Sequence, residues 1–119
     1  MKILVVDDSP TMRDITSSTL RAADYEVLEA EHGEEGLKVL SNTPVDLIIS
    51  DLNMYKMGGF EFVSRVRALP EYEYTPIMFL TTEDSDDFKR VGREVGASGW
   101  MVKPFEPKEL IKVVKKLAQ

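Results

Sequence analysis

Apolar residues fall along this chain in two kinds of block. Five are compact and mostly rich in β-branched residues: Ile3–Val6, Val27–Ala30, Val45–Ile49, Ile77–Leu80 and Trp100–Val102. Runs of that length and composition read as strands. Val45–Ile49 and Ile77–Leu80 are apolar nearly throughout, as strands covered on both faces must be.

The intervening segments have helical period. Met12, Ile15 and Thr19 share a face in the first, with Ser9 as N-cap and Pro10 in the first turn. Leu37 and Leu40 mark the second. Phe62, Val63, Val66 and Leu69 form the stripe of the third, which Pro70 ends. In the fourth, Ser85 caps, Asp86 and Asp87 suit the positive end of the dipole, and Phe88, Val91 and Val95 face inward. Pro107 starts the last, whose stripe is Leu110, Ile111, Val114 and Leu117, with Lys115 and Lys116 at its C-terminal end. Strand and helix alternate five times. That alternation predicts an α/β fold, a doubly wound parallel sheet with helices on both faces.

Length and charge narrow the picture. The 119 residues make one domain, 1–119, large enough for a real core. A net charge of −6 argues against nucleic acid or an anionic membrane as the main partner. The chain has no cysteine, hence no disulfide framework and no thiolate metal site. No apolar run approaches a membrane span or a signal-peptide core, and a cytoplasmic location is the expectation.

Ligand sites in such sheets lie at the carboxyl ends of the strands. The first strand ends in LVVDDS, two adjacent carboxylates, Asp7 and Asp8. Unit charges about 4 Å apart repel by roughly 4 kcal/mol at a protein surface, so a compensating cation is called for. The third strand ends at Asp51, the fourth at Thr81 and Thr82, the fifth at Lys103 and Pro104. Oxygen ligands without histidine suit a hard ion such as Mg²⁺, with Mn²⁺ able to take its place. A carboxylate can also act as a nucleophile toward phosphorus, and the transferred group's equatorial oxygens need stabilisation. Mg²⁺, Lys103 and the Thr81 hydroxyl supply it.

Each piece has a plainer reading. Asp8 or Ser9 could serve only as a helix cap, Asp51 as a turn residue before Asn53, and Thr81 and Thr82 as caps of the fourth helix. Trp100 could be a packed aromatic. His32, before Gly33, reads as an exposed loop residue without a role. The lysines of the last helix read as a solvated face or part of a partner surface. Convergence at one sheet edge is what favours the chemical reading.

In their order and spacing, VVDDS, ISDLNM, LTT and GASGWMVKPF resemble response-regulator receiver domains of two-component signalling, over the whole chain. DDSPTMR and GASGWMVKPF are most similar to the stand-alone chemotaxis type. The resemblance implies a flavodoxin-like five-stranded sheet of order 2-1-3-4-5 with five helices. It implies Asp51 as phosphoacceptor and a metal held by Asp8, Asp51 and the Asn53 backbone carbonyl, with Asp7 acting through water. It implies Thr81 as the switch hydroxyl, Lys103 as the partner of the phosphoryl group, and Trp100 as the aromatic that moves with Thr81. Thr82 and Glu83 flank the site, and the Lys103–Pro104 bond is cis. The implied donor is a histidine kinase or phosphotransfer protein. The implied output is a protein target on the surface of helix four, strand five and helix five, since no DNA-binding segment follows in this chain. The domain catalyses only its own phosphorylation and dephosphorylation.

Two departures stand out. Tyr55 occupies a place where proline is usual, and Gly58 one where an acidic or polar residue is common, which predicts a looser loop after Asp51. Trp100 replaces a smaller aromatic, so its ring should be incompletely buried or displace a neighbour. Other functions fit less well. A haloacid-dehalogenase-type phosphatase needs an acid at position 53, where an amide stands. A flavin carrier needs a phosphate cradle where Asp7 and Asp8 would repel it. A degenerate receiver, a binding module independent of phosphorylation, is the second reading.

Overall fold

The computed structural model describes residues 1–119. Five strands form one parallel sheet of order β2-β1-β3-β4-β5: β1 Lys2–Val6, β2 Glu26–Ala30, β3 Leu47–Ser50, β4 Ile77–Thr81 and β5 Gly99–Val102. They alternate with α1 Pro10–Ala22, α2 Gly33–Asn42, α3 Gly59–Arg67, α4 Asp86–Val95 and α5 Pro107–Leu117, and a short 3₁₀ turn covers Pro70–Tyr72. The predicted architecture and strand order are those observed.

Strand alternation divides the core in two. Leu4, Val6, Ile48, Ile77 and Phe79 point to one side, where they meet Leu40, Phe62, Val63 and Val66 of α2 and α3. Ile3, Val5, Leu47, Ile49, Met78 and Leu80 point to the other, against Leu20 of α1 and Leu110 and Val114 of α5. Each such side chain contributes about 1.5–3 kcal/mol by leaving water, so this double-sided burial fixes the register. The edge strands β2 and β5 are only partly buried.

Three details differ from the sequence reading. β3 starts at Leu47; Val45 is buried but precedes the strand. In α1 the buried face is Thr16, Ser17 and Leu20, while Ile15 is 47% exposed. The apolar periodicity misleads there because small hydroxyl residues occupy the inward positions; Thr16 Oγ1 and Ser17 Oγ have no hydrogen-bond partner. In α4 Phe88 is 39% exposed and Gly92 is the one buried residue. His32 is the N-cap of α2, its Nδ1 accepting from Glu35 N–H at 3.2 Å, where a hydroxyl or carboxylate is the usual capping group.

Candidate functional site

Parallel register delivers the carboxylates. Val6 of β1 stands opposite Ser50 of β3, so Asp7 and Asp51 emerge side by side at the carboxyl edge. Asp7 N–H donates to Ala30 O at 3.1 Å and Asp51 N–H to Val6 O at 2.9 Å, which prolongs the ladder by one residue on each strand. On the other flank Thr81 stands opposite Val102. Lys103 N–H donates to Thr81 O at 2.8 Å, and this brings the lysine to the same edge. The Lys103–Pro104 peptide is cis.

Oxygens of Asp7, Asp8 and Asp51 all lie within 4.8 Å of one another. The Lys103 ammonium donates to Asp7 Oδ2 at 2.7 Å and to Asp51 Oδ2 at 3.2 Å. The side chains of Lys103, Asp7 and Asp51 are only 7%, 5% and 12% exposed, so these charges escape the screening that weakens surface pairs. Burial alone would lower the Lys103 pKa. The Asp7 hydrogen bond and the charges of Asp51 and Asp7 together outweigh it and raise the ammonium above the ordinary lysine value. Lys103 is therefore charged at any physiological pH. One ammonium still faces three carboxylates, and the local excess of negative charge is what a divalent cation neutralises.

The three acids are not equivalent. Asp7 is buried and already engaged, its Oδ1 accepting from Ser9 N–H at 2.9 Å and its Oδ2 from Lys103. Asp51 accepts from Leu52 N–H at 2.7 Å and from Lys103. Asp8 is exposed and its carboxylate has no partner. The donor set, all oxygen, fits a hard ion, with Asp8 the group most free to bind it. Asn53 is exposed at the start of the following loop.

Thr81 is fully buried, and its Oγ1 accepts from Glu83 N–H at 3.4 Å. Thr82 is exposed, and Glu83 is half-buried. Trp100 is half-buried, and its indole N–H donates to Glu83 O at 2.9 Å while its ring lies 5.3 Å from that of Phe79.

The loop without proline closes by other means. Gly59 N–H donates to Leu52 O at 2.7 Å and Met57 N–H to Tyr55 O at 2.8 Å, and Leu52 and Met57 are buried beneath it. Lys56 takes the left-handed backbone, φ 66°. A side chain at Gly59 would meet Asp51 O at 2.5 Å, so only glycine lets the chain pass so near Asp51. Tyr55 is 68% exposed.

Sequence reasoning missed Arg13, which donates to Asp7 O at 2.7 Å and pairs with Glu29 at 3.4 Å. It also missed Gly92, beneath the Trp100 ring. Each matters through a residue on a neighbouring element, Asp7 for Arg13 and Trp100 for Gly92, a pairing that helical periodicity alone does not show. A shallow groove of about 730 Å³ runs between α1 and α5, lined by Ala22, Ile111 and Lys112 among others. It holds no carboxylate, and none of the acidic cluster lines it.

A parallel five-stranded sheet of this order, with an acidic trio and a lysine at its carboxyl edge, is the frame of a receiver domain. Residues 3–115 match the response regulator receiver domain family, and the chain belongs to it. It is 46% identical over 112 residues to the chemotaxis protein CheY homolog of Campylobacter jejuni strain 81-176, covering 92% of this chain and 86% of the relative. It is 43% identical over 119 residues to chemotaxis protein CheY1 of Helicobacter pylori strain J99, covering 96% of each. The crystal structure of chemotaxis protein CheY4 of Vibrio cholerae matches 98% of this chain and 97% of that one, with a TM-score of 0.95 and 48% identity.

Proposed function

We propose that this domain is a phosphorylation-driven switch of the chemotaxis type, acting in the cytoplasm. It takes a phosphoryl group onto Asp51 from a histidine kinase or phosphotransfer protein and presents an altered α4-β5-α5 surface to a protein target. The observation that carries this reading is the buried bridge from Lys103 to Asp7 and Asp51 beside the free Asp8. The resemblance of the whole chain to chemotaxis proteins supports the pathway.

Asp8, Asp51 and the Asn53 carbonyl would hold Mg²⁺ or Mn²⁺, with Asp7, already engaged by Lys103 and Ser9, acting through water. When bound, the ion supplies the positive charge that lets an anionic carboxylate meet an anionic phosphoryl group. An Asp51 carboxylate oxygen attacks phosphorus in line, and the P–N bond to the donor histidine breaks with its electron pair going to the imidazole. Lys103, held at 3.2 Å from Asp51 before reaction, stays with the charge as it moves to the phosphoryl oxygens. The Thr81 hydroxyl, held only by a long bond from Glu83 N–H, turns to donate to the same group. That movement pulls on the 82–85 loop, to which Trp100 is tied through Glu83 O, and so reaches α4 and β5. Thr82 and Glu83 border the acceptor and control the approach of the water that ends the signal. Phosphotransfer here consumes the domain's own carboxylate, so it is a switching event rather than turnover of a substrate.

Borohydride reduction tests the assignment. An acyl phosphate at Asp51 is reduced to an alcohol, leaving homoserine at position 51 in the peptide mass map. Reduction at another aspartate contradicts the placement.

A further inference from the structure

Gly92 lies in the interior of α4, where glycine costs roughly 1 kcal/mol relative to alanine. Nothing in the helix's own geometry asks for it. The reason lies in β5. A Cβ at Gly92 would sit 2.9 Å from Trp100 Cζ3 and 3.1 Å from Cε3, atoms of the six-membered ring that distinguishes an indole from a smaller aromatic. The ring fills the space a side chain would take, lies against Phe79, and points its N–H at Glu83 O at 2.9 Å.

We propose that Gly92 is a positioning residue: with Trp100 it forms a matched notch and ring that hold the indole inward and anchor the 82–85 loop through Glu83 before any phosphoryl group arrives. The same Glu83 gives its N–H to Thr81 Oγ1 at 3.4 Å, so the anchor ends two residues from the switch hydroxyl and is bonded to it. A methyl at position 92 leaves the indole no room in the notch. A crevice of about 220 Å³ between α4 and β5, bordered by Lys89, Arg93 and Ser98, lies open beside it. The displaced ring moves there, loses its bond to Glu83 and releases the loop. The consequence for Thr81 rests on the switch reading above; the pairing of Gly92 with Trp100 does not.

Trp100 is the only tryptophan, so acrylamide quenching of the donor-free, metal-free protein reads its exposure directly. Gly92→Ala is expected to raise the quenching constant about twofold or more, as a ring redistributed toward solvent requires. Thermal unfolding in two backgrounds gives the second readout. Gly92→Ala lowers Tm when Trp100 is present and raises it in Trp100→Tyr, where the smaller ring leaves room and alanine's helix preference prevails. Unchanged quenching, or a loss of Tm of equal size in both backgrounds, overturns the proposal. Neither measurement involves phosphorylation, so a failure of Asp51 to accept a phosphoryl group leaves both outcomes legible.

Discussion

Lys103 Nζ stands 3.2 Å from Asp51 Oδ2, across 52 residues of sequence, with both side chains nearly sealed from water. The Asp51 carboxylate is thus held by a positive charge, and Asp7 shares that charge at 2.7 Å. Two carboxylates of the sheet edge depend on the same ammonium.

Removing the ammonium should therefore destabilise the metal-free protein. Lys103→Ala leaves three carboxylates facing one another, and breaking a buried pair costs about 3 kcal/mol. Urea unfolding in chelator should show that loss, and Mg²⁺ should restore much of it because the ion replaces the missing charge. The variant should still bind Mg²⁺, with higher affinity than wild type, and fail to couple phosphorylation to the 82–85 loop. A Lys103→Ala protein with an unchanged stability, or one that Mg²⁺ does not rescue, contradicts the role.

Asp8 should behave in the opposite way. It is exposed and unpartnered, so in the absence of metal it adds repulsion without a compensating bond. Asp8→Asn should stabilise the metal-free domain by about 1 kcal/mol. The same change should abolish the stabilisation by Mg²⁺, which for wild type reaches about 2.7 kcal/mol at a hundredfold excess over Kd and shows as a rise in Tm. Differential scanning fluorimetry across a Mg²⁺ titration separates the two effects.

Much of this was legible in the sequence, for physical reasons that can be named. Asp7, Asp51, Thr81 and Lys103 each follow an apolar run, and a parallel sheet carries the ends of such runs to one edge. Boundaries were less legible. Val45 looks like strand because it is apolar and β-branched, yet pairing begins at Leu47, where β3 meets β1. The inward face of α1 was misread because Thr16 and Ser17 are buried without being apolar. Phe88 shares a helical stripe with Val91 and Val95 and so reads as inward, whereas the room beneath α4 at Gly92 is taken by the Trp100 ring. The loop at Tyr55 was expected to loosen without proline, and it is closed instead by bonds at Gly59 and Met57 that no local pattern announces.

Arg67 was not singled out at all, and it makes more side-chain hydrogen bonds than the site residues do. Its guanidinium donates to the carbonyls of Gly96, Tyr72, Glu73 and Thr75 at 2.6–3.2 Å, tying the end of α3 to the end of α4 and the start of β4. Burial lowers its pKa from the usual arginine value; with no carboxylate partner, its charge is met by carbonyl dipoles alone. Arg67→Met should cost about 2–4 kcal/mol in urea unfolding, since it strands several carbonyls. Arg67→Lys should recover only part of that, because an ammonium lacks the planar fork. Full recovery by lysine would show that charge rather than geometry is what Arg67 supplies.

The central claim is that Asp51 accepts a phosphoryl group in a metal-dependent reaction. The most direct measurement is the intact mass of the protein after incubation with a small acyl phosphate. It is run with Mg²⁺ and with chelator, on wild type and Asp51→Asn. The account predicts one added phosphoryl group on wild type with Mg²⁺, and none with chelator or on the folded variant. No addition to a folded, Mg²⁺-bound wild type would contradict it and leave a binding module that works without phosphorylation.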